Sequence, residues 1–514
     1  MIISVTPELA LDEGYTYAGG LGVLEGDKFY CAAKLGIPYK TFTLFYREGY
    51  VDYEFDERGN PRAKPQTQPP EFLKKLSREQ ETLTIRLRGE EVKAEVHKYK
   101  VGGAEAVFFR ITEPQWAVKL LNRVYLWENE EDKFLTYAFL AKATAEYIKN
   151  YVGVAQIDYL DLQEAYACML PLELKIPGKY RVVVHTAGSW GHPSFPRSYF
   201  EREFGYKFIS HEVSLTEIGL STAREAFTVS AKHFDVMSNV IPHHMDKLRY
   251  ITNGIEIDRW MNPDLKAGFE KGNLTTDLLA NVKEANRKRF IKFLKQYKDV
   301  DIGDRPIVTW SRRIVPYKRP EFVLKAINEI PSDQVFFVLG GKVHPQDMSG
   351  LEYMKAFRRM HQEHENVVYV PNYDVTAAKQ VLTASDLLLF TPFSGWEACG
   401  TSYMKSGVNG VPILSSHDGG AVELIVDGVN SWFFGRKLKG LVELGGKTAD
   451  DINAYDYTDF KKQLVNIISM YRNDPEKYYK VALNAVTTFT LRVDMQRTLR
   501  EYYPDIVKTR HQAM

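Results

Sequence analysis

Cysteine is scarce in this chain. Cys31, Cys168 and Cys399 are the whole set, with no C-x-x-C pair and no zinc-type spacing. This excludes a disulfide framework and a cysteine-held metal, and it fits a reducing, cytoplasmic compartment; no metal site is expected. Net charge is nearly absent as well: 67 Lys and Arg against 66 Asp and Glu leave +1. A chain so balanced has no long-range field to draw in nucleic acid or an anionic membrane. No apolar run approaches the roughly 18 residues that a membrane helix needs. The start, Met1-Ile2-Ile3-Ser4-Val5, lacks the basic flank of a signal peptide and reads as a first buried strand. Internal repeats and low-complexity tracts are missing too.

What is present is enough for two large cores. At roughly 100–200 residues per domain, a chain of this length holds two or three domains. After the first strand comes a glycine-rich loop, Ala18-Gly19-Gly20-Leu21-Gly22, and a helical stretch through Lys34. Between about 82 and 111 the pattern alternates (Leu83, Ile85, Leu87, then Val92, Ala94, Val96), which predicts antiparallel hairpins inserted on the first domain. Helical periodicity returns near Phe134–Tyr151, and Arg181–Val184 reads as a strand running into His185. A charged helical region over 265–300 ends in Asp299–Asp304, a linker by composition. Beyond it, short apolar strands (Ile307–Trp310, Val335–Leu339, Val367–Val370, Leu387–Phe390, Pro412–Ser415) alternate with amphipathic stretches such as Pro320–Ile330 and Ala377–Ala384. That alternation predicts a parallel, doubly wound sheet. Helical segments from about Pro475 to Thr509 either close this domain or cross back to the first. The expectation is α/β: two Rossmann-like doubly wound domains, 1–300 and 301–514, facing a central cleft, with ligands at the carboxyl ends of strands.

Three segments carry chemistry. In Glu397-Ala398-Cys399-Gly400-Thr401-Ser402-Tyr403-Met404-Lys405, small residues open a helix that bears a lysine. A helix start offers unpaired N–H groups to a phosphate, and the lysine offers an amine to an aldehyde cofactor. In Trp310–Arg319, Arg312, Arg313, Lys318 and Arg319 follow a predicted strand; a site that brings two phosphates together needs such cations. In Tyr17–Asp27, Glu25 stands where a dinucleotide fingerprint needs glycine, and its charge would repel a pyrophosphate, so NAD is rejected. Gly19 and Gly20 would let backbone N–H groups approach a phosphate.

The first of these segments resembles the α-glucan phosphorylase signature E-A-S-G-T-x-x-M-K-x-x-x-N-G, with Cys399 where that family has serine. The second resembles its R-R-x-x-x-Y-K-R element, with Val315-Pro316 in place of His-Glu, and the third its G-G-L-G-x-L-x-G-D element. His185-Thr186, Thr252-Asn253-Gly254-Ile255, Gly341–Asp347 and Asp418–Glu423 match further elements in the family's order. The resemblance implies a GT-B glycosyltransferase architecture and a short form without an N-terminal regulatory region. It implies pyridoxal 5'-phosphate bound as an imine to Lys405 and cradled by Gly400, Thr401, Ser402 and Arg312. It implies Arg313, Lys318, Gly19 and Gly20 on the substrate phosphate, and Glu397, His185 and Asn253 on the glucosyl unit. The implied substrates are an α-glucan (glycogen, starch or maltodextrin), inorganic phosphate and glucose 1-phosphate; self-association into a homo-oligomer is left open. Two rival readings are a nucleotide-sugar glucosyltransferase of the glycogen or starch synthase kind and an inactive glucan-binding scaffold. The first carries E-x7-E, whereas eight residues after Glu397 this chain has Lys405, a cation in place of a ribose-binding carboxylate.

Overall fold

The computed structural model describes residues 1–508. The chain divides into two compact units. Met1–Val51, Pro65–Thr252 and 495–508 form the first, and Asp52–Lys64 with Asn253–Asp494 form the second. Both are α/β, the class expected. Among the described residues no helix is long and apolar enough to cross a membrane.

The first unit is built on a nine-stranded sheet, ordered Leu248–Tyr250, Glu225–Thr228, Tyr180–Val183, Tyr159–Gln163, Ile2–Val5, Tyr39–Leu44, Ala104–Glu113, Glu90–Val101, Ser77–Leu87. Neighbours run parallel as far as Ala104–Glu113, and the last two strands are antiparallel. The alternating segment is therefore not an insertion. Ala104–Glu113 pairs with Tyr39–Leu44, and the hairpin continues the main sheet to its edge. Alternation revealed the half-wet hairpin, but pairing between distant strands leaves no mark in a local pattern. Chain order turns round between Ile2–Val5 and Tyr159–Gln163: strands first add on one side of Ile2–Val5, then on the other. Such a switch point opens a crevice at the strands' carboxyl ends.

The second unit has a six-stranded parallel sheet, ordered Val367–Val370, Phe336–Gly340, Ile307–Ser311, Leu387–Phe390, Ile413–Ser416, Trp432–Phe434. Its switch point lies between Ile307–Ser311 and Leu387–Phe390, the two strands that feed the basic segment and the Glu397 loop. Five of the six strands match expectation within a residue or so; Trp432–Phe434 was not foreseen.

The boundary expected near residue 300 falls inside the second unit. Phe290 and Leu294 of the helix Thr276–Leu294, and Val300 and Ile302 after it, pack in one cluster with Ile307, Phe336 and Val338 of the second sheet. The charged helix reads as surface by composition, but its buried stripe belongs to that core. The strand pair Asp52–Phe55 and Pro61–Lys64 also belongs there. Tyr53 N–H donates to Asn372 Oδ1 at 2.8 Å, and Tyr53 O–H donates to the Val343 carbonyl at 2.8 Å. At the other end, the helix Pro475–Val493 stays with the second unit, whereas Met495–Tyr502 returns to the first. Thr509 lies outside the described residues.

Candidate functional site

In the second unit, Arg312 leaves the strand Ile307–Ser311 at the switch point. Its N–H donates to the Gly340 carbonyl at 3.1 Å, and Gly341 must be glycine there: at φ +141° a Cβ would stand 2.0 Å from the Arg312 carbonyl oxygen. The guanidinium lies over the Phe390 ring, 4.1 Å from its centroid, and Nη2 donates to Glu397 Oε2 at 2.6 Å. Lys318 Nζ reaches the same oxygen at 3.7 Å. Arg312 Nε and Nη1 are buried without a hydrogen-bond partner among the described residues. Two dry donors on one guanidinium are costly unless an acceptor fills the space beside them.

The charges around Glu397 are tuned by burial and by one another. Burial alone would raise its carboxyl, but Lys318, Arg312 and Arg313 hold it below its ordinary value. Burial, with Arg312 and Arg313 adding to it against the pull of Glu397, brings Lys318 down to about 7. An arriving anion would favour the protonated lysine and draw a proton onto it. Asp418 aims the Glu397 loop. Its Oδ1 accepts from the N–H groups of Gly395 and Gly419 at 2.8 and 2.9 Å, and its Oδ2 from that of Glu397 at 2.8 Å. Burial raises the Asp418 carboxyl to about 7 despite those bonds.

The four cations of the basic segment do not act together. Arg319, at φ +53°, turns inward, where Nη1 meets Asp456 Oδ2 at 2.7 Å and Nε donates to the Thr391 carbonyl at 2.8 Å. It is a buried fastener, and Arg312, Arg313 and Lys318 are left near Glu397.

Lys405 sits on the short helix Ser402–Gly407, 6% exposed. Its Nζ donates to Thr401 Oγ1 at 3.0 Å and lies over the Trp260 ring, 4.2 Å from the centroid. Thr401 thus spends its hydroxyl on the lysine and not on capping the helix. Gly400 is small because a Cβ there would meet the Phe390 ring at 2.7 Å. Phe390 therefore packs against both the Arg312 side and the Lys405 side of the site. Asn409 holds the helix in place: its Nδ2 donates to the carbonyls of Lys405 and Trp260, each at 2.8 Å. Asn253 Nδ2 donates to the Cys399 carbonyl at 3.3 Å, which brings that asparagine to the same loop.

In the first unit, His185 follows the strand Tyr180–Val183. Its imidazole Nε2 lies 2.8 Å from Gln163 Oε1, and its N–H donates to Glu164 Oε2 at 3.2 Å. Thr186 Oγ1 donates to the same carboxyl oxygen at 2.8 Å. Glu164 ends the strand beside the switch point at φ +66°, an uncommon conformation for a non-glycine residue, and its Oε1 is buried without a partner among the described residues. His192 is a clamp: its Nε2–H donates to the Thr186 carbonyl at 2.9 Å, and its Nδ1 accepts from Thr216 Oγ1 at 2.8 Å.

The glycine loop differs from expectation. Ala18 and Gly19 N–H donate to Glu8 Oε2 at 2.7 and 3.0 Å, so the Gly19 donor is already satisfied by a carboxylate. Gly20 opens the helix Gly20–Lys34 with open space where a Cβ would stand. Glu25 does not face the loop either. It is fully buried, takes the Ser4 hydroxyl at 2.8 Å and pairs with Lys28 at 2.9 Å. The carboxylate beside the loop is Glu8; its distance in sequence hid that.

The carbohydrate phosphorylase family profile matches residues 249–503. The matched segment contains Asn253, Arg312, Arg313, Lys318, Glu397 and Lys405.

The segment 249–503 is similar to the carbohydrate phosphorylase family.

Among curated relatives, the chain is similar to the maltodextrin phosphorylase of Thermococcus litoralis, 24% identical over 95% of this chain and 68% of the relative. It is similar to the glycogen phosphorylase of Aquifex aeolicus, 23% identical over 98% and 85%. An uncharacterized protein of Methanocaldococcus jannaschii is 23% identical over 96% of each chain. Gly19, Gly20 and His185 lie outside the matched segment.

Reading the sequence missed Trp260, Asp418, Gln163 and Glu164 as site residues. Trp260 lies seven residues after Asn253, and Asp418 opens the Asp418–Glu423 match, so both had a signal. Gln163 and Glu164 had none, because a lone polar pair at a strand end looks like any turn.

Burial raises the Glu164 carboxyl from 4.5 to about 8, against the Thr186 and His185 hydrogen bonds. The folded chain then holds a proton that the unfolded chain releases. The stabilisation is complete below about 4.5 and is lost as pH rises towards about 8. Glu164→Gln is expected to lose less stability between pH 6 and pH 9 than the native chain, because one proton release over that interval is gone; thermal unfolding of both proteins at the two pH values measures the difference.

Proposed function

We propose that this chain is an α-glucan phosphorylase that uses inorganic phosphate to release α-glucose 1-phosphate from the non-reducing end of an α-1,4-glucan, with pyridoxal phosphate as cofactor. What carries the reading is Arg312: two buried, unpartnered donors on a guanidinium held by Glu397, beside a lysine whose proton is poised near neutrality. That donor set fits phosphate groups, and the buried amine of Lys405, aligned over Trp260, fits an aldehyde cofactor.

On this reading Lys405 holds the cofactor, with Thr401 orienting its amine, and Arg312 binds the cofactor's phosphate. When bound, the cofactor supplies a phosphate group that gives and takes a proton. Arg313 and Lys318 hold the substrate phosphate, and Gly20 leaves room for its close approach. Glu397, Asn253 and His185 fix the terminal glucosyl unit. The substrate phosphate passes a proton to the leaving glucan oxygen. The bond from that oxygen to C1 breaks, and a phosphate oxygen bonds C1 on the same face, so configuration is retained. Arg313 and Lys318 steady the phosphate charge throughout.

The test is direct. Purified chain supplied with pyridoxal phosphate, maltodextrin and inorganic phosphate is expected to release glucose 1-phosphate, and to release none when phosphate or cofactor is left out. Transfer from UDP- or ADP-glucose without phosphate dependence would overturn the reading in favour of a nucleotide-sugar transferase. Glucan binding without turnover would overturn it in favour of a scaffold.

A further inference from the structure

A buried chain of polar groups leads from the core of the first unit to His185. Glu25, on the helix Gly20–Lys34, pairs with Lys28 at 2.9 Å through Oε1. Its Oε2 takes the hydroxyl of Ser4, on the strand Ile2–Val5, at 2.8 Å. Gln163, the last residue of the adjacent strand, donates from Nε2 to Ser4 Oγ at 3.1 Å, and its Oε1 lies 2.8 Å from His185 Nε2. Glu25, Ser4 and Gln163 are all buried.

The direction of every bond follows. A carboxylate paired with a lysine only accepts, so Ser4 spends its one hydrogen on Glu25. Ser4 can then only accept from Gln163, which turns the amide nitrogen towards Ser4 and the amide oxygen towards His185. An amide oxygen only accepts, so the imidazole must carry its hydrogen on Nε2. Burial, with the charges of Lys28 and His233, holds His185 well below its ordinary pKa, so the ring is neutral and has one hydrogen to place. No described residue hydrogen-bonds Nδ1.

We propose that Gln163 is a positioning residue: through Glu25 and Ser4 it keeps the His185 hydrogen on Nε2, and Nδ1 is left as a hydrogen-bond acceptor for a hydroxyl of the bound sugar. The sugar part rests on the function proposed above. The tautomer part does not. His185 in this arrangement neither delivers a proton nor carries positive charge; it selects a ligand that has a hydroxyl to donate. The network also explains why a helix core holds an ion pair: Glu25 is the one member that can only accept, and it sets the sense of the chain.

Long-range proton–nitrogen NMR of the imidazole, assigned by the signal lost in His185→Gln, reads the tautomer without reference to activity. The native chain is expected to show hydrogen on Nε2 and a bare Nδ1. Gln163→Leu, which removes the acceptor, is expected to lose that preference. It should also lower kcat/KM for glucose 1-phosphate in the chain-extending direction about tenfold, the scale of effect for a residue that orients a ligating histidine, while KM for inorganic phosphate in the reverse reaction holds. Gln163→Glu keeps an acceptor at Nε2 and should restore the tautomer. Hydrogen on Nδ1 in the native chain, an imidazolium there, or a Gln163→Leu protein with unchanged tautomer and kinetics would each overturn the proposal. A native chain with the expected tautomer and no phosphorolysis would instead overturn the proposed function and leave the tautomer assignment standing.

Discussion

Lys405→Ala is expected to purify without the near-ultraviolet absorbance of a bound carbonyl cofactor and to lose phosphorolysis, while its far-ultraviolet circular dichroism stays that of the native chain. The fold should survive because the backbone bonds that hold residue 405 in its helix remain. Its N–H donates to the Thr401 carbonyl at 3.2 Å, and its carbonyl accepts from Asn409 at 2.8 Å; alanine keeps both. What goes is a buried amine aligned by Thr401 and Trp260. The loss in kcat should be at least the contribution of positioned proton transfer, on the order of 10²–10⁴-fold. Lys405→Arg should fail as badly, because a guanidinium stays protonated and is no nucleophile. Full activity of Lys405→Ala in cofactor-free buffer would remove the cofactor from the proposed function.

The second large effect concerns stability. Asp161→Ala is expected to destabilise the first unit by about 3–5 kcal/mol, since it strands a buried arginine. Arg181 is 2% exposed and grips Asp161 with two of its three nitrogens, Nε to Oδ1 at 2.7 Å and Nη2 to Oδ2 at 2.8 Å. The third donates to the Tyr502 carbonyl at 2.8 Å, and Tyr503 O–H donates to Asp161 Oδ2 at 2.6 Å. The pair thereby ties the returning C-terminal segment to the strands Tyr159–Gln163 and Tyr180–Val183. A chain with two cores need not unfold in one step. Calorimetry should therefore show the transition of the first unit moving down while that of the second holds. Asp456→Ala, which strands Arg319, should move the other transition. Replacing Asp161 and Arg181 together by apolar residues should recover much of the loss, because no unpaired charge remains. A single unshifted transition in Asp161→Ala would show that the ion pair does not carry this load.

The second unit was the more legible half. Its strands are buried on both faces, so each appears as a short apolar run, and the residues that follow two of them, Arg312 and Glu397, stand at the switch point that doubly wound sheets use for ligands. Lys405 was legible from its spacing to Glu397. In the first unit the hairpin was readable from alternation, yet its membership of the main sheet was not, because the register of Ala104–Glu113 against Tyr39–Leu44 joins residues far apart in the chain.

Residue identity and local periodicity determined the α/β class and most of the second sheet, while the resemblance to the phosphorylase signature singled out the cations, the carboxylate and the lysine eight residues on as candidates. Tertiary structure alone decided how those groups are used. It turned Arg319 inward to Asp456 and left Arg312 with two unmet donors. It gave the Gly19 N–H to Glu8, sent Met495–Tyr502 back to the first unit, and joined Glu25, Ser4 and Gln163 into one line behind His185. The reason is physical: a side chain's partners are set by which strands lie side by side, and burial converts each such adjacency into a demand that every polar group be met. Local sequence encodes which elements form; only the packed chain says which of their polar groups are left for a ligand.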